Sequence, residues 1–265
     1  MMGAWDDLQQ ITANNELTSP YIMKARVLLA MRAGNINDVT SALSNARTIL
    51  GAPITAAGAK GYRQSYDALL DLHMIHEMEL IYDAVSATVP RSQARREAMK
   101  SLGTGLAARF DATLPNFRVR QAVLSMRRTA FALRSGRQSC VQSSLSRVLT
   151  VGLHSPNTSP LITKEISQSW IASAKIARKA KQWQTAYSAT LQAQQSNARF
   201  HFMESAKLVK ATGEPLRALQ DLENSMRLSG LMEDPDTIDL TSDGNDPELK
   251  RMRAKASALC FGIAC

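Results

Sequence analysis

Apolar residues recur three and four positions apart along most of the 265-residue chain, the period of a helix with one buried face. Ser19-Pro20 supplies the cap and first-turn signals for a helix reaching about Ala33, and Gly34-Asn35 ends it. A second helix carries Val39, Leu43, Ala46 and Leu50. Residues 62 to about 89 read as a long helix with Tyr66, Leu69, Leu70, His73, Ile75, His76, Leu80 and Ile81, broken by Pro90. A basic helix over 92–110, a turn over 111–116 with Pro115, a helix over 118–134 and its partner over 137–153 follow. No stretch alternates apolar and polar residues long enough to suggest a strand, so the fold class is all-α.

The pattern also repeats. Ser173-Ala174-Lys175-Ile176-Ala177-Arg178 returns 32 residues later as Ser205-Ala206-Lys207-Leu208-Val209-Lys210. Each copy precedes a turn, Ala180-Lys181-Gln182 or Thr212-Gly213-Glu214-Pro215, and then a second apolar segment with Ala186 or Ala218. A period of 30-odd residues points to antiparallel helical pairs of the tetratricopeptide or HEAT kind, stacked as a superhelical array because one pair cannot bury its own apolar face. Gly34, Gly136 and Gly213 share a register with it: five residues on lie Val39, Val141 and Ala218, and nine on lie Leu43, Leu145 and Leu222. In this register the glycine is the left-handed stop of the first helix, and the two apolar residues face inward from the second.

Between the helices, a connector is expected near 51–61, a loop at 154–160 and an acidic flexible loop at 233–247. Residues 5–11 read as the end of one helical unit, and a last basic helix from Pro247-Glu248 breaks off at Cys260-Phe261-Gly262. The chain therefore reads as a segment of a longer array.

Charge adds a second layer. The net charge is +9, but residues 91–137 alone carry eleven Arg or Lys against Glu97 and Asp111, whereas residues 214–249 carry ten acids against Arg217 and Arg227. Blocks of this kind suit complementary faces. No base-stacking aromatics interleave the arginines, so a solvated or internally paired helical face accounts for the basic block better than a nucleic-acid footprint. Cys140, Cys260 and Cys265 form no C-x-x-C pair, which fits a reduced intracellular chain. The first residues lack the layout of a signal peptide, and no run of about 18 apolar residues suits a membrane.

The chemistry-bearing residues form no known constellation. His73 and His76 lie one turn apart beside Glu77 and Glu79, but the zinc-protease pattern needs a second histidine where Leu80 stands. His154 and His201 have no neighbouring Cys or Asp partner. Gly103-Thr104-Gly105 looks like the start of a glycine loop, yet no strand precedes it, and a helix kink accounts for it better. There is no phosphate-cradling Gly-x-x-x-x-Gly-Lys motif, no kinase catalytic loop, no Asp-Phe-Gly metal site and no Gly-x-Ser-x-Gly elbow. No catalytic, cofactor-binding or metal-binding residue is expected, and no cofactor.

The run from Trp170-Ile171-Ala172-Ser173-Ala174-Lys175 through Arg178-Lys179-Ala180 to Gln184-Thr185-Ala186-Tyr187 resembles the FAT domain of ATR-type phosphatidylinositol-3-kinase-related protein kinases, in the style of the fungal form. Leu69-Leu70-Asp71-Leu72-His73-Met74-Ile75-His76-Glu77 resembles another helix of that family. Leu114-Pro115-Asn116-Phe117-Arg118 with Val123-Leu124 and Arg127-Arg128 resembles a third segment. The resemblance covers roughly residues 5–255 and implies a partial FAT domain over 1–265 with no kinase domain in the chain.

By resemblance, the parent is a nuclear serine/threonine kinase of the DNA-damage checkpoint. It uses ATP and Mg in its own kinase domain and acts on Ser/Thr-Gln sites. The implied partners are that kinase domain, the flanking helical repeats and an obligate regulatory subunit of the ATR-interacting type, with indirect recruitment to single-stranded DNA and no membrane. Two alternatives stand beside it: a free-standing helical-repeat adaptor for protein segments, and a basic helical nucleic-acid binder acting through residues 91–137.

Overall fold

The computed structural model describes residues 5–14, 19–57, 61–86, 93–135, 160–229 and 247–264. These residues form eleven helices: α1 (Trp5–Asn14), α2 (Pro20–Ala33), α3 (Ile36–Ala57), α4 (Tyr62–Ser86), α5 (Gln93–Ala112), α6 (Phe117–Ser135), α7 (Pro160–Lys179), α8 (Trp183–Gln195), α9 (His201–Ala211), α10 (Pro215–Leu228) and α11 (Pro247–Ala264). Among the described residues there is no strand. The chain divides into two compact units, residues 1–166 and 167–265.

The first unit is built around α4, which packs on α2, α3, α5 and α6. A helix with neighbours on several sides cannot be amphipathic, and α4 accordingly buries Met74, Ile75, Met78, Ile81 and Tyr82. Val27 and Met31 of α2, Val39, Leu43, Ala46 and Leu50 of α3, Met99 and Leu106 of α5, and Val123, Met126, Ala130 and Phe131 of α6 complete the core. Ile162 of α7 joins them. Six of these core residues are methionines counting Met23, whose unbranched side chains fill the irregular gaps where helices meet at differing angles.

Cap geometry follows the sequence at several ends. Gly34 has φ 75° and donates its N–H to the Ala30 carbonyl, the left-handed stop expected of it. Five and nine residues on, Val39 and Leu43 are buried, as are Ala218 and Leu222 after Gly213. Gly136, Val141 and Leu145, with the helix expected over 137–153, lie outside the described residues. The same holds for 154–159 and for 233–246 of the acidic loop.

The connector expected near 51–61 is not where the pattern placed it. Helix α3 continues through Gly51 and Pro53 to Ala57. Proline inside a helix removes one hydrogen bond and crowds the carbonyl four residues back. Here it stands in the last two turns, beyond the buried Leu50, so few bonds remain to be disturbed. Helix α11 likewise runs on through Cys260 to Ala264 where a break was expected; Cys260 Sγ lies 4.0 Å from Met226 Sδ of α10, and Leu259 packs on the same apolar cluster.

In the second unit the 32-residue echo becomes geometry. At the end of α7, Ala180, Lys181 and Gln182 donate to the carbonyls of Ile176, Arg178 and Ala177; at the end of α9, Thr212, Gly213 and Glu214 donate to those of Leu208, Lys210 and Val209. Each donor and acceptor in the second turn stands 32 residues after its counterpart. The left-handed residue is Lys181 in one turn and Gly213 in the other, and the pattern is the Schellman motif. Helix α9 packs on α8 and α10, and α10 on α11. Phe202, Met203 and Ala206 meet Ala218, Leu222 and Met226, and Ala256 of α11 closes the cluster.

Candidate functional site

The functional features are joints between helices, and the most buried is ionic. Glu77 on α4 is fully buried and receives both arms of Arg127 from α6: Nε donates to Oε2 at 2.7 Å and Nη2 to Oε1 at 2.6 Å. The same Nη2 also donates to the Leu106 carbonyl on α5 at 2.8 Å. One guanidinium thus ties three helices through a two-armed ion pair and one carbonyl, the planar fork that lysine lacks. Ion pairs this buried are specific rather than cheap, because both charges lose their water.

The arginines around this clasp are used internally. Arg120 donates to the Thr113 carbonyl at 3.0 Å and stacks on Phe110 at 5.0 Å, with Arg127 over the same ring at 5.6 Å. Arg128 is buried too, and burial pushes its guanidinium down to about 10. Within the block, Arg120, Arg127 and Arg128 are therefore engaged or buried inside the protein, while Arg96, Lys100 and Arg118 are exposed.

Gly103 has a role that a kink does not describe. A Cβ there would lie 2.8 Å from a carboxylate oxygen of Glu165 on α7. Without a side chain, α5 lets that carboxylate come against its backbone. Burial raises the Glu165 pKa above the ordinary carboxylate value, and Lys164 and Arg127 oppose the rise. Gly105 two residues on faces open space.

The second unit has its own ionic joint. Glu204, buried on α9, accepts Arg178 from α7 at 3.2 Å and Lys207 from its own helix at 2.7 Å. Arg178 and Lys207 both belong to the repeated segment, one from each copy. Tyr187 of α8 lies 3.3 Å from the Thr212 hydroxyl in the turn after α9, so the two repeats touch at their turn end as well.

His154 lies outside the described residues, and the other three histidines sit beside acids or a backbone carbonyl. His73 Nε2 lies 3.0 Å from Glu77 Oε1 without the alignment of a hydrogen bond, and His76 Nδ1 lies 3.1 Å from Glu79, which Arg47 of α3 also engages. His201 Nδ1 is 3.0 Å from the Ala198 carbonyl at the start of α9. Burial raises the thiol pKa of the half-buried Cys260. Among the described residues no group of three or more His, Cys, Asp or Glu could hold a metal ion. An open cleft of about 260 Å³ lies between α2 and α3, lined by Met23, Arg26, Asp38, Ser41, Ala42 and Asn45; Arg26 there also donates to the Thr12 carbonyl.

Sequence reading located the helices and the echo but missed the Glu77–Arg127 clasp and the Arg178–Glu204 joint. The first spans 50 residues and the second 26, and no motif announces either. The available signal was an unexplained acid amid apolar residues on α4, together with an arginine pair on a helix otherwise patterned for burial.

Helical pairs locked by matching turns and buried ion pairs define a helical-repeat scaffold. The family model of the FAT domain matches residues 1–261, and the chain belongs to the FAT domain family. It is similar to serine/threonine-protein kinase ATR of Drosophila melanogaster, at 26% identity over 233 residues covering 86% of this chain and 8% of that protein. The same kinase of Arabidopsis thaliana is 24% identical over 205 residues, 76% of this chain and 7% of that protein. The chain thus spans less than a tenth of the length of these curated relatives. No solved structure matches it. No described helix is long and apolar enough to cross a membrane.

Proposed function

We propose that this chain is a non-catalytic scaffold segment of an ATR-type serine/threonine kinase, holding the kinase domain and its partners in place through stacked helical pairs. The observation that carries the reading is the extent of the FAT match, residues 1–261, over a segment whose buried ion pairs, Glu77–Arg127 and Arg178–Glu204, join one helix to another. ATP and Mg belong, in this reading, to a kinase domain elsewhere in the protein. The flanking repeats, a regulatory subunit of the ATR-interacting type, indirect recruitment to single-stranded DNA and a nuclear location go with it.

Three observations favour scaffold over nucleic-acid binder: Arg127 points into the protein, Arg128 is buried, and Arg120 is stacked on Phe110. Two experiments test the reading. The isolated chain, given ATP, Mg and a Ser-Gln peptide, is expected to transfer no phosphate. A full-length kinase carrying Glu77→Ala at this segment is expected to lose regulated activity while its isolated kinase domain keeps basal activity. Phosphate transfer by the isolated chain, or full activity in the Glu77→Ala kinase despite an unfolded segment, would count against it.

A further inference from the structure

The first turns of α7, residues 160–166, belong to the first unit and meet it along a short seam. Ile162 is buried in that unit's core, and Leu161 and Ile166 pack against the same cluster. Residues 161, 162, 165 and 166 share one helix face, being one and four positions apart. Glu165 therefore stands in a seam whose other three members are apolar. Its carboxylate lies against the backbone of α5 at Gly103, where a Cβ would come within 2.8 Å of Oε1 and 3.5 Å of Oε2. Both oxygens occupy the room that a side chain on α5 would need. Little around the carboxylate holds it ionised. Lys164, its neighbour on α7, is exposed, so water and salt screen its pull. Arg127 faces it from α6, but that guanidinium gives two arms to Glu77 of α4 and a bond to the Leu106 carbonyl. What α5 presents is the Gly103 backbone. Among the described residues nothing donates a hydrogen bond to Glu165. A charge that has given up its water without gaining donors is disfavoured against the neutral acid, and burial accordingly raises the Glu165 pKa.

We propose that Glu165 is a proton-operated latch: protonated, it lets residues 161–166 of α7 lie down on α5 and the core, and ionised, it lifts them off while the core beneath stays folded. The placement of the acid makes the device. A leucine at 165 would hold the seam at any pH, and an acid one position earlier, where Lys164 stands, would face water. To ionise, the carboxyl gives its proton to water and must leave the seam to recover its hydration, which carries the two flanking isoleucines with it. Opening is therefore favoured as pH rises, the sign of a group whose proton is held more tightly in the closed state. Only three apolar side chains oppose it, so the seam can open on its own, as the less stable parts of a fold do.

Amide hydrogen exchange of the 265-residue chain, resolved by residue and corrected for the intrinsic rate at each pH, measures the latch. The amides of Glu165 and Ile166 report the seam, and those of Ile75 and Met78, fully buried on α4, report the core. Protection at 165 and 166 is expected to lie below that of the core and to fall severalfold between about pH 5 and about pH 8. Glu165→Gln keeps the shape of the side chain without its charge and should abolish that fall. Gly103→Ala leaves the acid in place but displaces its carboxylate from α5, and should shrink the fall. Seam protection equal to that of the core at every pH would overturn the proposal. So would a rise with pH, the same fall in Glu165→Gln, or an undiminished fall in Gly103→Ala.

Discussion

Lys181 and Gly213 stand 32 residues apart and occupy the same place in successive turns, with φ of 57° and 101°. Both donate to the carbonyl three residues back, Lys181 to Arg178 and Gly213 to Lys210. The backbone requirement is shared, but only one turn has the residue that meets it without strain. A left-handed conformation costs a residue with a Cβ about 1–2 kcal/mol, while glycine loses more chain entropy on folding. Lys181→Gly is therefore expected to stabilise the second unit by about 0.5–1 kcal/mol. Gly213→Ala should destabilise it by a similar amount, although open space surrounds the site. Urea unfolding of both variants measures the two effects, and a change of the same sign in both would contradict the shared turn.

The clasp between Glu77 and Arg127 should behave as a pair. Removing one partner by Glu77→Ala leaves a guanidinium buried without its counter-charge, at a cost of about 3–5 kcal/mol. The double variant Glu77→Leu with Arg127→Met removes both charges and should regain most of that loss, apart from the Leu106 carbonyl left without its donor. Unfolding free energies of Glu77→Leu, Arg127→Met and the double variant, measured in denaturant, close the cycle and give the coupling. Additive losses would mean that the two side chains do not act together.

Glu165 sets a pH dependence of opposite sign to the usual carboxylate. Its folded pKa is raised above 4.5, chiefly by burial, so the folded state holds its proton more tightly than the unfolded state does. The group's contribution to stability is then full below about pH 4.5 and is lost as pH rises through the folded value. Glu165→Gln should accordingly be more stable than the native chain at pH 7, and the difference should fade as the pH is lowered towards 4.5. Thermal melts across that range test it.

Gly103→Ala probes the same contact from the other side. The new methyl group would displace the flexible end of Glu165, while alanine favours the helix over glycine by about 1 kcal/mol. Stability should change little, and the Glu165 carboxyl should titrate closer to its ordinary value, as seen by carbon NMR. An unchanged titration would mean that the carboxylate does not depend on the space at residue 103.

Ala206 is buried against the α10 side of the second unit. Ala206→Trp is expected to cost about 1–3 kcal/mol by overpacking, visible as a lower melting temperature. An unaltered melt would misplace the repeat register.

Sequence pattern made the helices legible because their burial is periodic. Val39 and Leu43, and Ala218 and Leu222, are buried where a glycine stop five and nine residues earlier puts them. Pro53 misled, since a residue that disfavours helix locally is carried through when it falls near a helix end. The basic block, read as a solvated or internally paired face, is both, but its spacing could not say which arginine does which: charge summed along a chain ignores which way a side chain points, and Arg127 points inward to an acid 50 residues away. Contacts across such distances depend on how helices stack, which no local spacing encodes.

Helix α8 meets α9 with nothing larger than Ala186, Ala189, Thr190 and Ala193 buried on its side. Helices whose contacts are this small approach to the short end of the usual 8–10 Å between axes. Such a seam works as a gauge: a methyl group is the smallest shim that a side chain can supply, so the spacing between neighbouring helices can be widened by mutation but hardly narrowed. In a stack, a widened joint displaces everything built beyond it, so the positional tolerance of this array is set by its smallest side chains.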